Sequence, residues 1–319
     1  MMRVLVTGAT GFVGHTLCDV LARSGYVVRA ALRGDRSTPD GVSEISVVGE
    51  IGSTTDWQTA LRGVDVVIHL AARAHLIHDS SVNSDLYLET NARGTERLAN
   101  ASAQAGIRRF VYLSSVKVNG EETTDRAFSS HDEPRPRDAY GTSKWFAENY
   151  VKEIAAKTAM EAVIVRSPLV YGSGVRANFL RLLRWADNEW PLPLGLIRNR
   201  RSLVSIWNLC DLLVRLLKHP IAAGRTWMVS DGEDLSTADL IERIAIAMNR
   251  RVRLLPVPEH MLHFIGALIG RKAEIVRLCG SLAVNIEETR HELGWSPPVS
   301  VDQALARTVS WYLSNGSRR

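Results

Sequence analysis

A glycine-rich turn near the start of the chain constrains the fold more than any other feature. The run TGATGFVG at 7–14 follows a short β-branched stretch and precedes an amphipathic segment that starts near Phe12. Glycines in such a turn let the backbone bend tightly, approach a pyrophosphate and pack a helix on a sheet. The spacing G-x-x-G-x-x-G differs from the common G-x-G-x-x-G, and the alternative is an ordinary glycine-rich turn. The strand-loop-helix context favours a dinucleotide-binding loop that includes Gly8, Thr10, Gly11, Phe12, Val13 and Gly14.

Hydrophobic periodicity predicts an α/β fold. Short β-branched runs alternate with longer amphipathic segments, and we expect strands at 3–7, 27–32, 64–70, 110–114 and 162–166. Such a series builds a Rossmann-type doubly wound parallel sheet that binds ligands beyond the carboxyl ends of its strands. Residues 168–202 are rich in Gly, Pro and Arg, and a mixed α/β segment closes the chain. We therefore expect a dinucleotide-binding domain from 1–168 plus 203–224, and a smaller α/β substrate-binding lobe from 169–202 plus 225–319.

Composition indicates the cellular compartment that we expect for the protein but does not identify its partner. The three cysteines, Cys18, Cys210 and Cys279, show no paired spacing, so we expect reduced core thiols in the cytoplasm. The N-terminal run MMRVLVTG is typical of a strand rather than a signal peptide. Residues 260–282 carry too many charges for a transmembrane segment, although they could lie on a membrane surface. The net charge of +5 suits nucleic acid, an acidic membrane or an anionic substrate equally.

The residues after the second predicted strand bear on which dinucleotide binds. An NAD-preferring site commonly places a carboxylate there to accept hydrogen bonds from the adenosine ribose. This chain has Arg33 at that position with Arg36 nearby, and a guanidinium pairs well with a 2′-phosphate. NADP(H) is therefore favoured over NAD(H). The alternatives are that both arginines are solvated surface residues, or that Asp35 provides the ribose carboxylate.

A tyrosine and a lysine four residues apart indicate where the chemistry lies. Tyr140 and Lys144 fall on one face of a predicted helix, which brings the ammonium near the phenol. A nearby positive charge favours the phenolate, so we expect the pKa of Tyr140 to move down toward working pH. Ser115 ends the fourth predicted strand and is well placed to hydrogen-bond a substrate carbonyl or alcohol during hydride transfer. The alternative is a solvent-facing helix start, because Y-x-x-x-K also occurs by chance.

Several segments together resemble the extended short-chain dehydrogenase/reductases of the NAD-dependent epimerase/dehydratase family, over nearly the whole chain. They are TGATGFVG at 7–14, VDVVIHLAA at 64–72, TNARGT at 90–95, LSSVKVNGE at 113–121, YGTSK at 140–144, RSPLVYG at 166–172 and ELGWSPP at 292–298. The resemblance implies a catalytic triad of Ser115, Tyr140 and Lys144. By the same resemblance, Leu70, Ala71 and Ala72 line the cofactor, and Asn91 supports its nicotinamide half. Glu50 and Ile51 are expected to flank the adenine. The nicotinamide carboxamide is expected to contact Pro168, Leu169 and Val170. Ser114, Tyr140 and Lys144 complete the expected cofactor-binding set, although family members usually have an aspartate where Glu50 stands.

The resemblance also implies that the second lobe holds a UDP-sugar. The residues expected to hold the sugar diphosphate are Asn178, Arg201 and Arg277, and those expected near the nucleobase are Pro193, Leu194 and Gly195. Ser115 is an expected substrate contact, and so is Lys117, for which a solvated position is the alternative. A homodimer is compatible with the resemblance.

Departures from the family pattern narrow the expected reaction. Sugar-nucleotide dehydratases of the family carry Asp-Glu after the catalytic Ser/Thr, and epimerase-reductases carry a cysteine there, whereas this chain has Val116 and Lys117. Chemistry at a single carbon remains. The runs SSVKVNGE, ANFLRLLR, PLPLGLIRNRRSLV and SDGEDLST resemble bacterial reductases that make UDP-N-acetylquinovosamine or UDP-N-acetylfucosamine for surface polysaccharide. We therefore expect NADPH-dependent reduction of the C4 ketone of a UDP-4-keto-6-deoxy-N-acetylhexosamine. One alternative is an NAD-dependent UDP-hexose or UDP-N-acetylhexosamine 4-epimerase. A non-catalytic dinucleotide sensor is the other.

Two further clusters do not predict a site of their own. His69, His75 and His78 lack an accompanying cysteine or carboxylate pattern, so we expect a polar loop and no metal. Arg198, Arg200 and Arg201 lack the interleaved aromatic residues of a single-strand binder, so we expect no nucleic acid.

Overall fold

A parallel sheet of seven strands forms the centre of the larger lobe in the computed structural model, which describes residues 1–34, 38–74 and 81–315. In spatial order its strands are β3 (Glu44–Val47), β2 (Val27–Leu32), β1 (Arg3–Thr7), β4 (Val66–His69), β5 (Arg109–Ser115), β6 (Glu161–Ser167) and β9 (Arg225–Met228). Every neighbouring pair is parallel. The predicted Rossmann-type sheet is thus confirmed.

The strand order reverses direction at β1, which lies between β2 and β4. At the carboxyl edge of these strands Thr7 is paired with His69, and further along the sheet Ser115 is paired with Ser167. Ligands of doubly wound sheets bind in the crevice where the order reverses. The strand ends that carry the predicted site residues therefore open onto one edge of the sheet.

Helices cover both faces of this sheet, and its central strands β1 and β4 are buried along nearly their whole length, whereas Ile45 and Val47 of the edge strand β3 are exposed. The α-helices of the described residues are α1 (Phe12–Arg23), α2 (Gln58–Leu61), α3 (Ser81–Tyr87), α4 (Gly94–Gln104), α5 (Ala139–Ala156), α6 (Ala177–Asp187), α7 (Ile206–Leu216), α8 (Thr237–Ala247), α9 (Glu259–Leu268), α10 (Lys272–Cys279), α11 (Glu287–Leu293) and α12 (Val301–Asn315). One core lies under α1 and α7 around Leu17 and Leu213, and the other lies under α4 and α5 around Leu98 and Val151. Cys18, Cys210 and Cys279 are buried free thiols.

A three-stranded sheet and its own core build the smaller lobe. Strand β8 (Arg201–Ser205) lies between β7 (Leu169–Tyr171), to which it is parallel, and β10 (Asp234–Leu235), to which it is antiparallel. The core of this lobe joins residues of α6, α8 and α12, such as Phe179, Ile241 and Leu305. None of the helices within the described ranges is long and apolar enough to cross a bilayer.

The predicted boundaries differ from the structure at two strands. The boundary at residue 225 is wrong, because β9 pairs with β6 and buries Trp227 in the larger core. The start at 203 also divides β8, which belongs to the small sheet, whereas α7 directly after it packs on α1. Strand β4 is shorter than the predicted 64–70, since the N–H of Val64 donates to Leu61 O and so closes the turn after α2.

Candidate functional site

The glycine loop joins β1 to α1 in a form that only glycine allows. Gly8 has φ +68°, and a Cβ there would lie 2.8 Å from the amide nitrogen of Ala71. A Cβ on Gly14 would lie 2.1 Å from the carbonyl oxygen of Gly8. Gly11 caps α1 without any side-chain hydrogen bond, and the first turn of α1 contains no acidic residue. The positive N-terminal end of α1, a 12-residue helix, therefore faces the glycine loop without a capping or acidic side chain, which fits the pyrophosphate of a dinucleotide.

A buried histidine ties this loop to the neighbouring strand. His69 is fully buried, with Nδ1 2.6 Å from Thr7 Oγ1 and Nε2 2.9 Å from Thr95 Oγ1. Burial, together with the charge of Lys144, lowers the pKa of His69 to about 3, so the ring is neutral. Thr7 Oγ1 also accepts from the Ala71 N–H at 3.2 Å. His69 is thus a structural residue at the end of β4 rather than part of the polar loop that we predicted, and His75 and His78 lie outside the described residues.

The structure brings Arg33 and Glu50 together where the adenosine ribose is expected. Arg33 Nη1 lies 3.3 Å from Glu50 Oε1, and Arg73 Nη2 lies 4.0 Å from Glu50 Oε2. A carboxylate therefore accompanies the arginine that was predicted to bind a 2′-phosphate. The Arg33–Glu50 pair is solvent-exposed and contributes little to the stability of the fold, so either side chain can change its position around a ligand. Arg36 and Asp35 lie outside the described residues.

Asn91 holds a cofactor-side loop against the catalytic helix. It is buried in a π-helical turn, Leu88–Arg93, that precedes α4. Its Oδ1 accepts from the Arg73 N–H at 2.7 Å, while its Nδ2 donates to Arg73 O at 3.0 Å and to Ser143 Oγ at 3.0 Å. Because the protein uses all of these groups, the support that Asn91 gives to the expected nicotinamide half is indirect. The interaction with Ser143 was not predicted from the sequence.

The three predicted catalytic residues converge at the carboxyl end of β5. Ser115 ends that strand, and Tyr140 lies in the first turn of α5, close enough for the Ser115 hydroxyl to lower the pKa of its phenol. Lys144 is buried one turn further on, with Nζ donating to Leu113 O at 2.9 Å and lying 5.9 Å from the centre of the Tyr140 ring. The ring of Tyr87 packs edge-on against Tyr140 with centroids 6.0 Å apart.

The pKa of Tyr140 shifts in the opposite direction from the sequence prediction. Burial raises it, the carboxylate of Asp138 adds to the effect, and the hydrogen bond from Ser115 opposes it. Burial also lowers the pKa of Lys144 to about 7, against the attraction of Glu148. Spacing along a helix brought the two groups together, but burial acts against the charged form of each. A cationic nicotinamide ring bound nearby would favour the phenolate.

Lys117 contacts the start of α5 rather than an open substrate space. Its Nζ bonds to Asp138 and lies 2.9 Å from Glu121 Oε1. Asp138 caps α5 by accepting from the Gly141 N–H at 2.6 Å. Burial raises the pKa of this carboxyl, but the bonds from Lys117 and Gly141 outweigh burial and hold it below its usual value. An aspartate two residues before a helical tyrosine is an N-cap signal that the sequence prediction overlooked.

A buried ion pair lies behind the catalytic residues. Glu148 accepts from Arg166 through Nε at 2.9 Å and Nη2 at 2.7 Å, and both side chains are almost inaccessible. Arg166 also donates to Asn119 Oδ1 at 3.1 Å. The Ser114 hydroxyl, predicted to bind cofactor, donates to Glu148 Oε1 at 2.6 Å. This network fixes the end of β5 on α5, and no sequence pattern indicated it.

The residues predicted to hold a sugar nucleotide are distributed over the second lobe. Arg201 Nη1 donates to Arg277 O at 2.7 Å and to Gly280 O at 2.9 Å, which places it beside the end of α10. Burial lowers the pKa of Arg201. Asn178 is exposed at the start of α6 and accepts from Arg181 at 2.9 Å.

The predicted nucleobase segment lies in a loop beside residues 253–255. Gly195 donates its N–H to Leu255 O at 2.9 Å, Leu194 is buried, and Pro193 is exposed. Pro168 joins β6 to β7, and Leu169 and Val170 are the first two residues of β7.

One group of potential metal ligands lies among the described residues, away from the predicted histidines. Glu259, His263 and Cys279 bring their ligand atoms within 4.8 Å of one another. His263 Nε2 lies 3.3 Å from Glu259 Oε1 as an i,i+4 pair. Burial and the charge of Glu259 raise the pKa of the Cys279 thiol to about 11, so the thiol is protonated. The ordinary helix pair and a buried thiol account for the group.

Comparisons with known proteins agree with this geometry. A sequence model of the NAD dependent epimerase/dehydratase family matches residues 4–230. The chain is similar to UDP-glucose 4-epimerase of Vibrio cholerae, with 41% identity over 99% of this chain and 97% of the relative. It is also similar to N-acetyl-alpha-D-glucosaminyl-diphospho-ditrans,octacis-undecaprenol 4-epimerase of Escherichia coli O157:H7, with 26% identity over 97% of this chain and 94% of the relative. The crystal structure of UDP-glucuronic acid 4-epimerase from Bacillus cereus in complex with NAD shares the fold, with a TM-score of 0.79 and 23% identity over 98% of this chain and 99% of that one.

Proposed function

We propose that this chain, which belongs to the NAD dependent epimerase/dehydratase family, transfers a hydride at C4 of a UDP-linked hexose. The observation that carries the proposal is the meeting of Ser115, Tyr140 and Lys144 at the sheet edge onto which the glycine loop opens. A nicotinamide dinucleotide bound along that edge supplies or accepts the hydride. Tyr140 Oη takes the proton of the C4 hydroxyl on oxidation and returns it on reduction, while Ser115 Oγ hydrogen-bonds the C4 oxygen.

Because Tyr140 is buried, its ability to give or take a proton depends on the charges that lie near its phenol. In the free protein the pKa of Tyr140 is raised by burial and by Asp138, so the phenol is protonated at neutral pH. This state is ready to give a proton to a C4 ketone. To accept a proton from a C4 alcohol, Tyr140 needs positive charge nearby, and Lys144, with its pKa lowered by burial to about 7, is the nearby side chain that can provide it.

Elimination and multi-carbon epimerisation are disfavoured by the residues that follow Ser115. Val116 is buried and apolar, and Lys117 is bonded to Asp138 and Glu121. Neither can serve as the additional acid or base that those reactions need. This supports chemistry restricted to C4.

Two reactions share this chemistry, and 4-epimerisation is the one that the comparisons favour. The Vibrio cholerae relative is named for it, and Glu50 places a carboxylate beside Arg33 where an NAD ribose would bind. The second candidate is NADPH-dependent reduction of a UDP-4-keto-6-deoxy-N-acetylhexosamine to UDP-N-acetylquinovosamine or UDP-N-acetylfucosamine. Arg33 directly after β2 favours it, because the Arg33–Glu50 pair is exposed and can open around a 2′-phosphate.

We propose that the sugar diphosphate binds at Arg201, between the facing edges of the two lobes. Asn178 and Arg277 are proposed as further contacts of the diphosphate, and residues 193–195 are proposed to lie near the nucleobase. Arg201 is largely enclosed yet makes its bonds to backbone oxygens and to no carboxylate among the described residues. An enclosed guanidinium of this kind suits a diphosphate. The Escherichia coli relative is named for a substrate in which the diphosphate is carried by a polyprenol, so the shared element is the sugar diphosphate.

One assay separates the candidates. Purified protein without added cofactor is incubated with UDP-glucose, UDP-N-acetylglucosamine or the undecaprenyl-diphosphate-linked sugar, and the C4 configuration is followed by proton NMR. In parallel, NADPH and the 4-keto sugar are added and absorbance at the nicotinamide band is followed. Interconversion without added cofactor supports the epimerase, and stoichiometric NADPH consumption supports the reductase.

Tyr140→Phe is the control for both arms, because it removes only the transferable proton. We expect it to abolish either activity. Dinucleotide binding without turnover in any arm, or full turnover by Tyr140→Phe, would overturn the proposed function.

A further inference from the structure

Helix α9 presents its large apolar side chains to solvent. Met261, Phe264, Ile265 and Leu268 recur at the spacing of one helical face, and Phe264 and Leu268 are 71% and 77% exposed. Ile269, directly after the helix, is also exposed. Scattered single apolar residues on a surface need no explanation, but a continuous stripe of this kind marks an interaction site.

The packing of α9 does not require this stripe. The helix is held to the lobe by its opposite face, where Leu262 is buried in the second-lobe core. Gly266 lies so close to α10 that a Cβ there would fall 2.5 Å from Ile275 Cγ1. The hairpin of α9 and α10 is therefore complete without the stripe, which faces outward.

Unpaired positive charge borders the stripe. Arg271 and Lys272 follow it, Arg277 lies one to two turns further on α10, and all three are exposed. These three side chains form no ion pair with any residue of 1–34, 38–74 or 81–315. The acidic residues of the hairpin are already paired, Glu259 with His263 at 3.3 Å and Glu274 with Arg181 at 3.0 Å. The surface thus combines an apolar stripe with free cations.

We propose that α9 docks the chain on an anionic lipid bilayer. A ten-residue helix is too short to span a bilayer, but an apolar face bordered by Arg and Lys suits the headgroup region, where the apolar side chains enter the acyl boundary. The basic residues then lie near anionic headgroups, each adding to the attraction.

A second copy of this chain is the less suitable occupant. In a two-fold interface residue i of one copy contacts residue j of the other, so Arg271 and Lys272 would have to be compensated by the hairpin carboxylates of the partner copy. Those carboxylates, Glu259 and Glu274, are already paired within each copy. The charge pattern therefore favours an anionic surface over self-association.

Docking through α9 would set the orientation of the candidate site. The last turn of α10 contacts Arg201 through Arg277 O, so the docked hairpin adjoins the arginine proposed to hold the sugar diphosphate. A bilayer surface would then lie beside the second lobe rather than beside the glycine loop. The docking itself is independent of the reaction proposed above.

Vesicle co-sedimentation with the full chain tests the proposal. We expect the protein to pellet with phosphatidylethanolamine/phosphatidylglycerol vesicles and to remain in solution with phosphatidylcholine vesicles, and to dissociate as salt is raised. The double variant Phe264→Gln/Leu268→Gln should weaken binding by about tenfold or more, since burial of two large apolar side chains is lost. Arg271→Gln/Lys272→Gln should also weaken binding to the anionic vesicles, because it removes two positive charges beside the headgroups.

Ile246→Gln is the matched control, because Ile246 is 76% exposed on α8, outside the stripe. It should bind like the unaltered chain. Circular dichroism checks that each variant is folded, which the exposure of the altered side chains favours. The proposal is overturned if the unaltered chain does not pellet, if the stripe variant binds like the control, or if light scattering shows that the stripe variant only converts a dimer to a monomer.

Discussion

Replacement of Lys144 with methionine should stabilise the free protein while it abolishes activity. Lys144 is buried, and its pKa is lowered from 10.5 to about 7, chiefly by burial. The folded state therefore holds an ammonium unfavourably below pH 7. At about 1.4 kcal/mol for each pKa unit, this difference corresponds to about 5 kcal/mol of free energy of unfolding.

The sign of the pH dependence follows from the direction of this shift. Between about pH 7 and 10.5 the unfolded chain binds the Lys144 proton and the folded chain does not, so the stability of the unaltered protein rises with pH. From about pH 7.5 to about pH 9 the gain should be about 2 kcal/mol. Lys144→Met lacks this term, because methionine does not titrate.

Urea denaturation of both proteins at several pH values measures the effect. The difference between the two free energies of unfolding cancels other titrating groups, such as Cys18, whose pKa burial raises to about 12. We expect Lys144→Met to be the more stable protein at pH 6, even though Leu113 O loses its donor, and the advantage to shrink toward pH 9. Parallel pH profiles for the two proteins would refute the argument that burial of Lys144 strains the folded state.

Three further substitutions test other parts of the site. Arg33→Ala should raise the KM for NADPH about tenfold or more and leave that for NADH nearly unchanged if Arg33 binds a 2′-phosphate; equal losses in steady-state assays would contradict that role. Lys117→Met should leave the charge of Asp138 uncompensated beside Tyr140, which lowers kcat about tenfold at neutral pH and moves the basic limb of the kcat profile upward, with KM little changed; an unchanged profile would mean that Lys117 only holds Asp138, the cap of α5, in place. Arg166→Met should leave Glu148 buried without its partner and lower the free energy of unfolding by about 3–5 kcal/mol in urea, and adding Glu148→Gln should restore part of that loss.

The fold was largely predictable because its signals are local. The turn between β1 and α1 requires glycine for steric reasons, and the ends of β1 and β2 fall where the periodicity placed them. The position of β9 was not predictable in this way. Its four residues show no alternation, and its partner β6 lies more than fifty residues away, so only the assembled sheet defines it.

The candidate site was predictable in its composition but not in its electrostatics. Helical spacing brings Tyr140 and Lys144 to one face, as the structure shows, yet spacing carries no information on how deeply the pair is buried. Burial decides the pKa of both groups and reverses the predicted direction for Tyr140. The contacts of Lys117 with Asp138 and of Glu148 with Arg166 join segments that are distant in the chain, and no periodicity encodes them.

The bonds of Asn91 have a consequence for how this chain can change cofactor. Arg73 approaches Glu50 on the adenosine side, its backbone is held by Asn91, and Asn91 donates to Ser143, whose hydroxyl donates to Tyr140 O at 2.8 Å. Arg73, Asn91, Ser143 and Tyr140 thus form one chain of bonds from the carboxylate of Glu50 to the tyrosine that we propose transfers the proton. Because Asn91 holds Arg73 through its backbone N–H and C=O, substitution of the Arg73 side chain changes the charge beside Glu50 but keeps these bonds. Substitution of Asn91 instead removes the bonds to both Arg73 and Ser143, so it should affect both ends of the chain of bonds together.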